Sequence, residues 1–165
     1  MHLVIALILV FLSSVIVHAQ PQRGKVSPES TGGHAARKIL DITNRERVQR
    51  GLASLKIDQR CVLAITRHVD EMASEGFLSH EGRDGRGANE RYRQFNPASR
   101  GAGENLAYNT DGSGESFMRQ WLRSSGHRSN ILSANYKGIG VAVRANCSRA
   151  QVGKCYYYAG QCFSP

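Results

Sequence analysis

The stretch QWLRSSGHRSNILSANYKGIGVAV, residues 120–143, decides the fold. It begins as a helix that carries the only tryptophan, Trp121, and Gly126 predicts a break in that helix. His127 follows the break, a second helical turn continues through Ile131, and the apolar residues after it predict a strand. A histidine at a helix break, one turn from a buried tryptophan, is expected at the edge of a core.

Length and composition fit one globular domain with a strongly basic surface. The chain has 165 residues, of which 41% are hydrophobic and 21% charged, and its formal net charge is +9. Such a charge favours anionic surfaces such as sulfated glycans or acidic lipids. The basic residues are scattered from Arg23 to Lys154, however, so a merely solvated surface is the alternative. We expect a monomer and no specific nucleic-acid partner.

The N-terminus has the pattern of a secretory signal. Residues 3–17 form an apolar run of 15 residues, and Val17-His18-Ala19 supplies a small-x-small ending. A membrane anchor would need about 20 apolar residues, so we predict a signal peptide over 1–19, cleaved after Ala19, and a secreted protein. Residues 20–33 are rich in Pro, Gly and Ser and predict a flexible leader.

Helices come first in the remaining chain and strands last. The first helix is predicted from His34 to Gly51, with Arg45, Glu46 and Arg47 on its solvent side. A second helix is predicted to begin after an N-cap at Asp58 and to end at Gly76, with Phe77 and Leu78 tucked inward after it. A short helix over 89–93 and a longer one over 115–124 follow. Strands are predicted over 139–143 and 154–158. This order predicts an α+β domain over 34–165: a three-layer α-β-α sandwich with a central antiparallel sheet.

The four cysteines predict two disulfides. In an oxidising compartment an even count of cysteines pairs, and four cysteines allow three connectivities. Cys147 and Cys155 flank the predicted hairpin loop over 146–153, which makes them natural partners. Cys61 and Cys162 would then join a helix to the last strand.

Two imidazoles and a carboxylate form the candidate site. His80, Glu104 and His127 are the minimum set for an open zinc site, although their spacings of 24 and 23 residues match no local metal motif. The alternative is that each histidine caps a helix or bonds a carbonyl. A serine nucleophile near His127 (Ser124, Ser125 or Ser129) lacks a Gly-x-Ser-x-Gly elbow, and Glu104 lacks the second carboxylate of a glycosidase. His68 is expected to be a hydrogen-bonded helix residue.

Several motifs together resemble a known family. The chain is similar to the superfamily of cysteine-rich secretory, antigen-five and pathogenesis-related proteins, called CAP or SCP-like. The resemblance covers about residues 36–163, and it rests on ITNRER (42–47), FLSH (77–80), GENLA (103–107), WLRSSGHRSNIL (121–132) and GIGV (138–141).

The resemblance implies a secreted α-β-α sandwich with a cleft of two histidines and two acidic residues, a tetrad that can bind a divalent metal, often zinc. His80, Glu104 and His127 match three of the four positions, and Ser124 stands where the second acid is expected. We therefore expect weak binding of zinc or another divalent cation, and no required cofactor. Some members of the family bind sterols or fatty acids, and others act in defence, venom or host interaction.

Three functions follow from these observations. The first is a non-enzymatic extracellular binding module for a sterol, a fatty acid, a membrane surface or a host or defence partner. The second is a metal-dependent hydrolase that uses His80 and His127. The third is an interaction protein that docks its basic surface on anionic glycan.

Overall fold

A computed structural model describes residues 28–148 and 154–165. The predicted signal peptide, 1–19, and the leader up to residue 27 lie outside the described residues. The first helix begins at Pro28, six residues before its predicted start at His34. The elements are α1 (Pro28–Val48), β1 (Lys56–Ile57), α2 (Gln59–Glu75), α3 (Ala88–Arg93), β2 (Gly103–Asn109), α4 (Gly114–Arg123), α5 (Ser125–Leu132), β3 (Gly138–Asn146) and β4 (Tyr156–Ser164).

A four-stranded sheet lies between two helical layers, which confirms the three-layer α-β-α sandwich. The strand order is β1-β3-β4-β2, and β4 runs antiparallel to both of its neighbours. The two-residue β1, which the sequence did not predict, runs parallel to β3 at the edge. Helices α1, α4 and α5 cover one face of the sheet, and α2 and α3 cover the other.

The predicted burial of Trp121 is confirmed. Its side chain has no exposed surface, and its ring packs beside Phe117 with the centroids 6.0 Å apart. The indole N–H donates to the backbone oxygen of Leu106 on β2, 3.1 Å away. One side chain therefore fills the core under α4 and also fixes that helix against an edge strand, because a buried indole N–H needs a partner.

Helix α2 begins and ends where the sequence predicts. Asp58 is its N-cap, with the carboxylate accepting from the N–H of Arg60 at 2.9 Å, and Gly76 ends it in the left-handed conformation at φ 68°. The helix lies directly on the sheet: a Cβ at Gly140 would stand 2.4 Å from the backbone of Cys61. Leu78 is 44% exposed, contrary to the prediction that it tucks inward.

Arg47 is buried, which corrects the prediction that it faces water. It is 2% exposed, and its guanidinium donates to the carbonyl oxygens of Ala53, Ile131 and Ser133 at 2.8 Å each. The last carbonyls of a helix have no partner within it, and Arg47 supplies donors to those at the end of α5. Arg47 lies eight residues after buried Ile39 and four after buried Thr43, so helical periodicity places it on the inner face and its charge was the misleading signal.

Both predicted disulfides are present. Cys61 on α2 pairs with Cys162 on β4, across 101 residues of sequence, and Cys147 pairs with Cys155 across 8 residues. The first bond connects a helical layer to the middle of the sheet. The second closes the connection between β3 and β4.

Removing the two disulfides should have unequal effects on stability. In the chain-entropy model the Cys61–Cys162 bond contributes about 4.7 kcal/mol and the Cys147–Cys155 bond about 2.5 kcal/mol, because the longer loop loses more freedom in the unfolded state. Urea denaturation of the paired serine variants measures both values. A larger loss from Cys147→Ser/Cys155→Ser than from Cys61→Ser/Cys162→Ser would contradict this.

Trp121→Ala should lower the free energy of unfolding by about 3–5 kcal/mol, since it leaves a cavity and removes the donor to Leu106. Denaturant titration followed by far-UV circular dichroism provides the measurement. Val48→Ala is the control, because Val48 is 59% exposed and its loss should change stability by less than about 0.5 kcal/mol. Equal midpoints for the two variants would show that Trp121 does not support the core.

Candidate binding cleft

The structure brings the three predicted site residues together. His80 lies in the loop after α2, Glu104 on β2 and His127 in the first turn of α5. The Nδ1 atom of His80 donates to Oε1 of Glu104 at 2.8 Å, and the rings of His80 and His127 have their centroids 6.4 Å apart. The His80 side chain is 61% exposed whereas that of Glu104 is 5% exposed. The cleft thus has an open imidazole above a buried carboxylate.

A fourth residue, Arg91 on α3, completes the site and was missed by the sequence analysis. Its guanidinium donates to Oε2 of Glu104 at 2.6 Å and to the backbone oxygen of His80 at 3.0 Å, and its side chain is only 7% exposed. Arg91 therefore binds both the carboxylate and the loop that carries His80. Its sequence context is a short polar helix with a second arginine, Arg93, two residues away, and nothing there marks it as buried.

A network of side-chain amides holds the backbone of His127. Asn105 on β2 donates to the backbone oxygen of His127 at 3.0 Å and to Gln161 at 3.0 Å. Asn130 donates to Asn105 at 2.9 Å and to the backbone oxygen of Glu104 at 3.1 Å. Both asparagines belong to the motifs that carry the family resemblance, and here they act on the backbone of the site.

The helix break lies at Ser124 rather than at the predicted Gly126. Ser124 has extended backbone angles, φ −85° and ψ 124°, and separates α4 from α5. Its hydroxyl accepts from the N–H of His127 at 3.5 Å, as an N-cap residue does, so no glycine is needed for the break. Gly126 lies inside α5. The residue that stands in place of the expected second acid therefore has a structural role.

Their surroundings shift the pKa values of the two histidines in opposite directions. The hydrogen bond to Glu104 raises the pKa of His80 above its ordinary value of 6.5, and the carboxylate charge adds to this effect. Burial lowers the pKa of His127, and the neighbouring His80 lowers it further. Near neutral pH, His80 is thus the ring that holds a proton more readily.

The histidine nitrogens are the atoms with which this cleft could hold a metal. Across the described residues, no group of three or more His, Cys, Asp or Glu side chains is arranged to hold a metal ion. Both carboxylate oxygens of Glu104 are already engaged, one by His80 and one by Arg91. When His80 donates through Nδ1, its Nε2 atom remains as an acceptor, the arrangement in which a carboxylate orients a metal-binding histidine.

His68 is a hydrogen-bonded helix residue, as predicted. It is fully buried, and its Nε2 atom donates to the backbone oxygen of Ser79 at 2.8 Å. Because Ser79 precedes His80, this bond fixes the loop that presents the open imidazole.

Glu104→Gln should destabilise the domain by about 3–5 kcal/mol, because it leaves the buried guanidinium of Arg91 without the negative charge that compensates it. It should also lower the pKa of His80 toward 6.5. In the wild type, the raised pKa means that the His80–Glu104 interaction stabilises the fold fully below pH 6.5 and is lost as pH rises through the folded-state pKa. Urea denaturation and NMR titration of the histidine ring protons measure the two effects.

Glu115→Gln is the matched control, since Glu115 forms an ion pair with Lys38 in which its side chain is 49% exposed. Its loss should cost less than about 1 kcal/mol. An unchanged His80 pKa in Glu104→Gln would mean that the hydrogen bond does not govern this imidazole.

Known proteins are similar to this chain in sequence. The model of the cysteine-rich secretory protein family, called CAP, matches residues 40–162. A membrane protein of unassigned function from Bacillus subtilis, YlbC, is 35% identical over 107 residues, which make up 65% of this chain and 31% of that protein. This chain therefore spans about a third of the length of that relative.

Solved structures agree with the family match. An extracellular protein of Bacillus anthracis that contains an SCP domain superimposes with a TM-score of 0.67 at 26% identity, over 86% of this chain and 44% of that one. An outer surface protein of Borrelia burgdorferi has the same fold, with a TM-score of 0.67 at 13% identity, over 80% of this chain and 94% of that one. Within residues 28–148 and 154–165, no helix has the length and apolarity needed to cross a bilayer. The family match, the sandwich and the motifs agree, and the chain belongs to the cysteine-rich secretory protein (CAP) family.

Proposed function

We propose that this chain is a non-enzymatic extracellular binding domain whose cleft takes up a divalent cation weakly through His80 and His127. The proposal is carried by one observation: both oxygens of Glu104 are committed to His80 and Arg91 in a buried position. A carboxylate in that state is a poor metal ligand, and it positions an imidazole instead.

The same observation counts against a hydrolase in which Glu104 is the general base. A general base must have an oxygen free to accept a proton from water, and the pairing of Glu104 with a guanidinium disfavours that role. The hydroxyl of Ser124 accepts from the N–H of His127 and so acts as a helix cap, which gives no support to a serine nucleophile. The cleft is therefore better suited to binding than to bond cleavage.

Weak cation binding follows from the charges around the two imidazoles. The Arg91 guanidinium already neutralises Glu104, and Ser124, an uncharged residue, stands where the resemblance places the second acid. A metal must also displace the proton that Glu104 favours on His80. We expect affinity to fall below pH about 6.5 as the imidazoles become protonated.

An extracellular location is supported by three independent features. The chain has two disulfides, which persist in oxidising compartments. Residues 1–19 have the pattern of a signal peptide. Two structures with this fold are described as extracellular and as an outer surface protein.

The partner of the binding domain is open to test. The net charge of +9 favours an anionic glycan or an acidic membrane surface. An apolar groove between α1 and α2, lined by Leu40, Ile57, Val62 and Val141 among others, measures about 130 Å³. Typical ligand pockets measure about 300–1,000 Å³, so this groove gives little support to a sterol.

Isothermal titration with zinc at pH 7.5 tests the cleft. Wild type should bind one zinc weakly, and His80→Ala and His127→Ala should each abolish measurable binding, because two imidazoles are the ligands. His34→Ala is the control, since His34 is an exposed histidine of α1. Ser124→Glu should strengthen binding by restoring a negative charge at the position expected for the second acid.

Two results would contradict the proposal. Unchanged zinc affinity in both cleft variants would place any bound zinc elsewhere. A hydrolase activity that requires zinc and is lost in His80→Ala and His127→Ala would make the domain an enzyme.

A further inference from the structure

A second groove, lined by tyrosines, lies beyond the C-terminal end of α2. Phe77, Leu78, Tyr108, Tyr156 and Tyr158 form most of its walls, and its volume is about 330 Å³. This volume lies within the range of about 300–1,000 Å³ found for small-molecule pockets, which are mostly apolar and aromatic. We call these five residues the tyrosine groove.

The groove concentrates exposed apolar surface. Six large hydrophobic residues are exposed in the described part of the chain, and three of them lie here: Leu78 at 44%, Tyr108 at 50% and Tyr156 at 37%. Clustered exposure of this kind marks interaction sites, whereas single exposed residues do not. The remaining three, Val48, Ile57 and Leu63, do not line the groove.

Strand geometry builds the aromatic wall. Tyr156 and Tyr158 lie two residues apart on β4 and so point to the same face, and Tyr108 on β2 is paired directly with Tyr158. The ring of Tyr108 lies 6.1 Å from that of Tyr158 and 6.5 Å from that of Tyr156, between centroids. The rings therefore form a continuous surface across two strands.

Two cations next to the groove are paired with acidic residues, which favours an uncharged ligand. None of the groove residues carries a charge. Arg83, whose guanidinium lies 4.2 Å from the centroid of the Phe77 ring, pairs with Glu75 at 2.7 Å. Arg144, beside Tyr158 in the sheet, pairs with Asp70 at 2.6 Å. Both of these cations are therefore already paired and are poor partners for a sulfate or carboxylate group.

We propose that the tyrosine groove binds the rings of a neutral saccharide. A sugar ring has an apolar face of C–H groups that can pack on an aromatic face, and hydroxyls around its edge that can pair with phenols. Tyr108 and Tyr156 offer both, an apolar ring and a polar tip. An acyl chain would cover these phenols without offering a hydrogen bond, which costs free energy.

A peptide is the competing occupant, since proline-rich segments also dock in aromatic grooves. Addition of a peptide strand to β2 is disfavoured, because the backbone oxygens of Glu104 and Leu106 already accept from Asn130 and Trp121. A strand-adding peptide is therefore disfavoured, and hexaproline is the probe that separates a proline-rich segment from the saccharide.

This proposal is independent of the metal site. Tyr108 lies four residues after Glu104 on β2, which corresponds to about 13 Å along an extended strand. Saccharide binding should thus be unchanged in His80→Ala, and zinc binding should be unchanged in Tyr108→Ala.

NMR titration of the disulfide-bonded protein tests the proposal with three neutral probes: cellotriose, maltotriose and triacetylchitotriose. At least one should shift the ring resonances of Tyr108 and Tyr156. Tyr108→Ala and Tyr156→Ala should each weaken that binding about tenfold, the change that corresponds to one lost aromatic contact. Tyr108→Phe should keep most of the affinity, because it retains the ring.

Leu63→Ala is the control, since it removes an exposed apolar side chain of α2 outside the groove and should leave binding unchanged. Circular dichroism confirms that each variant is folded. The proposal is overturned if none of the three saccharides shifts the tyrosine rings, or if the alanine variants bind as tightly as wild type. It is also overturned if only hexaproline, laurate or a sulfated heparin disaccharide shifts them.

Discussion

The buried carboxylate of Glu104 is the charge on which the candidate site depends. Removing a carboxylate from water costs several kcal/mol unless other groups compensate it, and here Arg91 and His80 each take one oxygen. Because Arg91 also donates to the backbone oxygen of His80, one guanidinium connects α3, β2 and the loop after α2. The geometry of the open imidazole is thus a consequence of how the fold neutralises one negative charge. A cation that entered the cleft would bring positive charge to a site in which the negative charge of Glu104 is already balanced.

A second polar network sets the other half of the cleft. Gln161, which has no exposed surface in the middle of β4, accepts from Asn105 and donates to Thr43 of α1 at 2.8 Å. Asn105 in turn binds the backbone of His127. Buried amides whose hydrogen bonds are satisfied specify one arrangement of the elements around them, because any slip would leave several polar groups without partners. The position of His127 is therefore determined from the centre of the sheet.

The sequence revealed those features that local pattern or motif determines. Asp58 and Gly76 bound α2, Trp121 is buried, and the flanking of one loop by Cys147 and Cys155 indicated the pairing that the structure confirms. The burial of Arg47 and Arg91 was not predicted, because their partners are backbone and carboxylate oxygens distant in sequence, and a charged residue in a polar stretch suggests exposure. The helix break was predicted at Gly126 and lies at Ser124. Glycine is the stronger signal for a break in a sequence, although a serine cap can also provide one.

The edge of β2 favours recognition of a ligand by side chains rather than by backbone. An edge strand normally presents free carbonyl and amide groups to any extended chain that approaches it. In this domain, Asn130 and Trp121 occupy the outward oxygens of Glu104 and Leu106. The same strand carries Glu104 at one end and Tyr108 near the other, on the same face. With these carbonyls capped, β2 serves as a rigid support that presents two separate surfaces, an imidazole cleft and an aromatic groove, and the chemistry of each is set by its side chains.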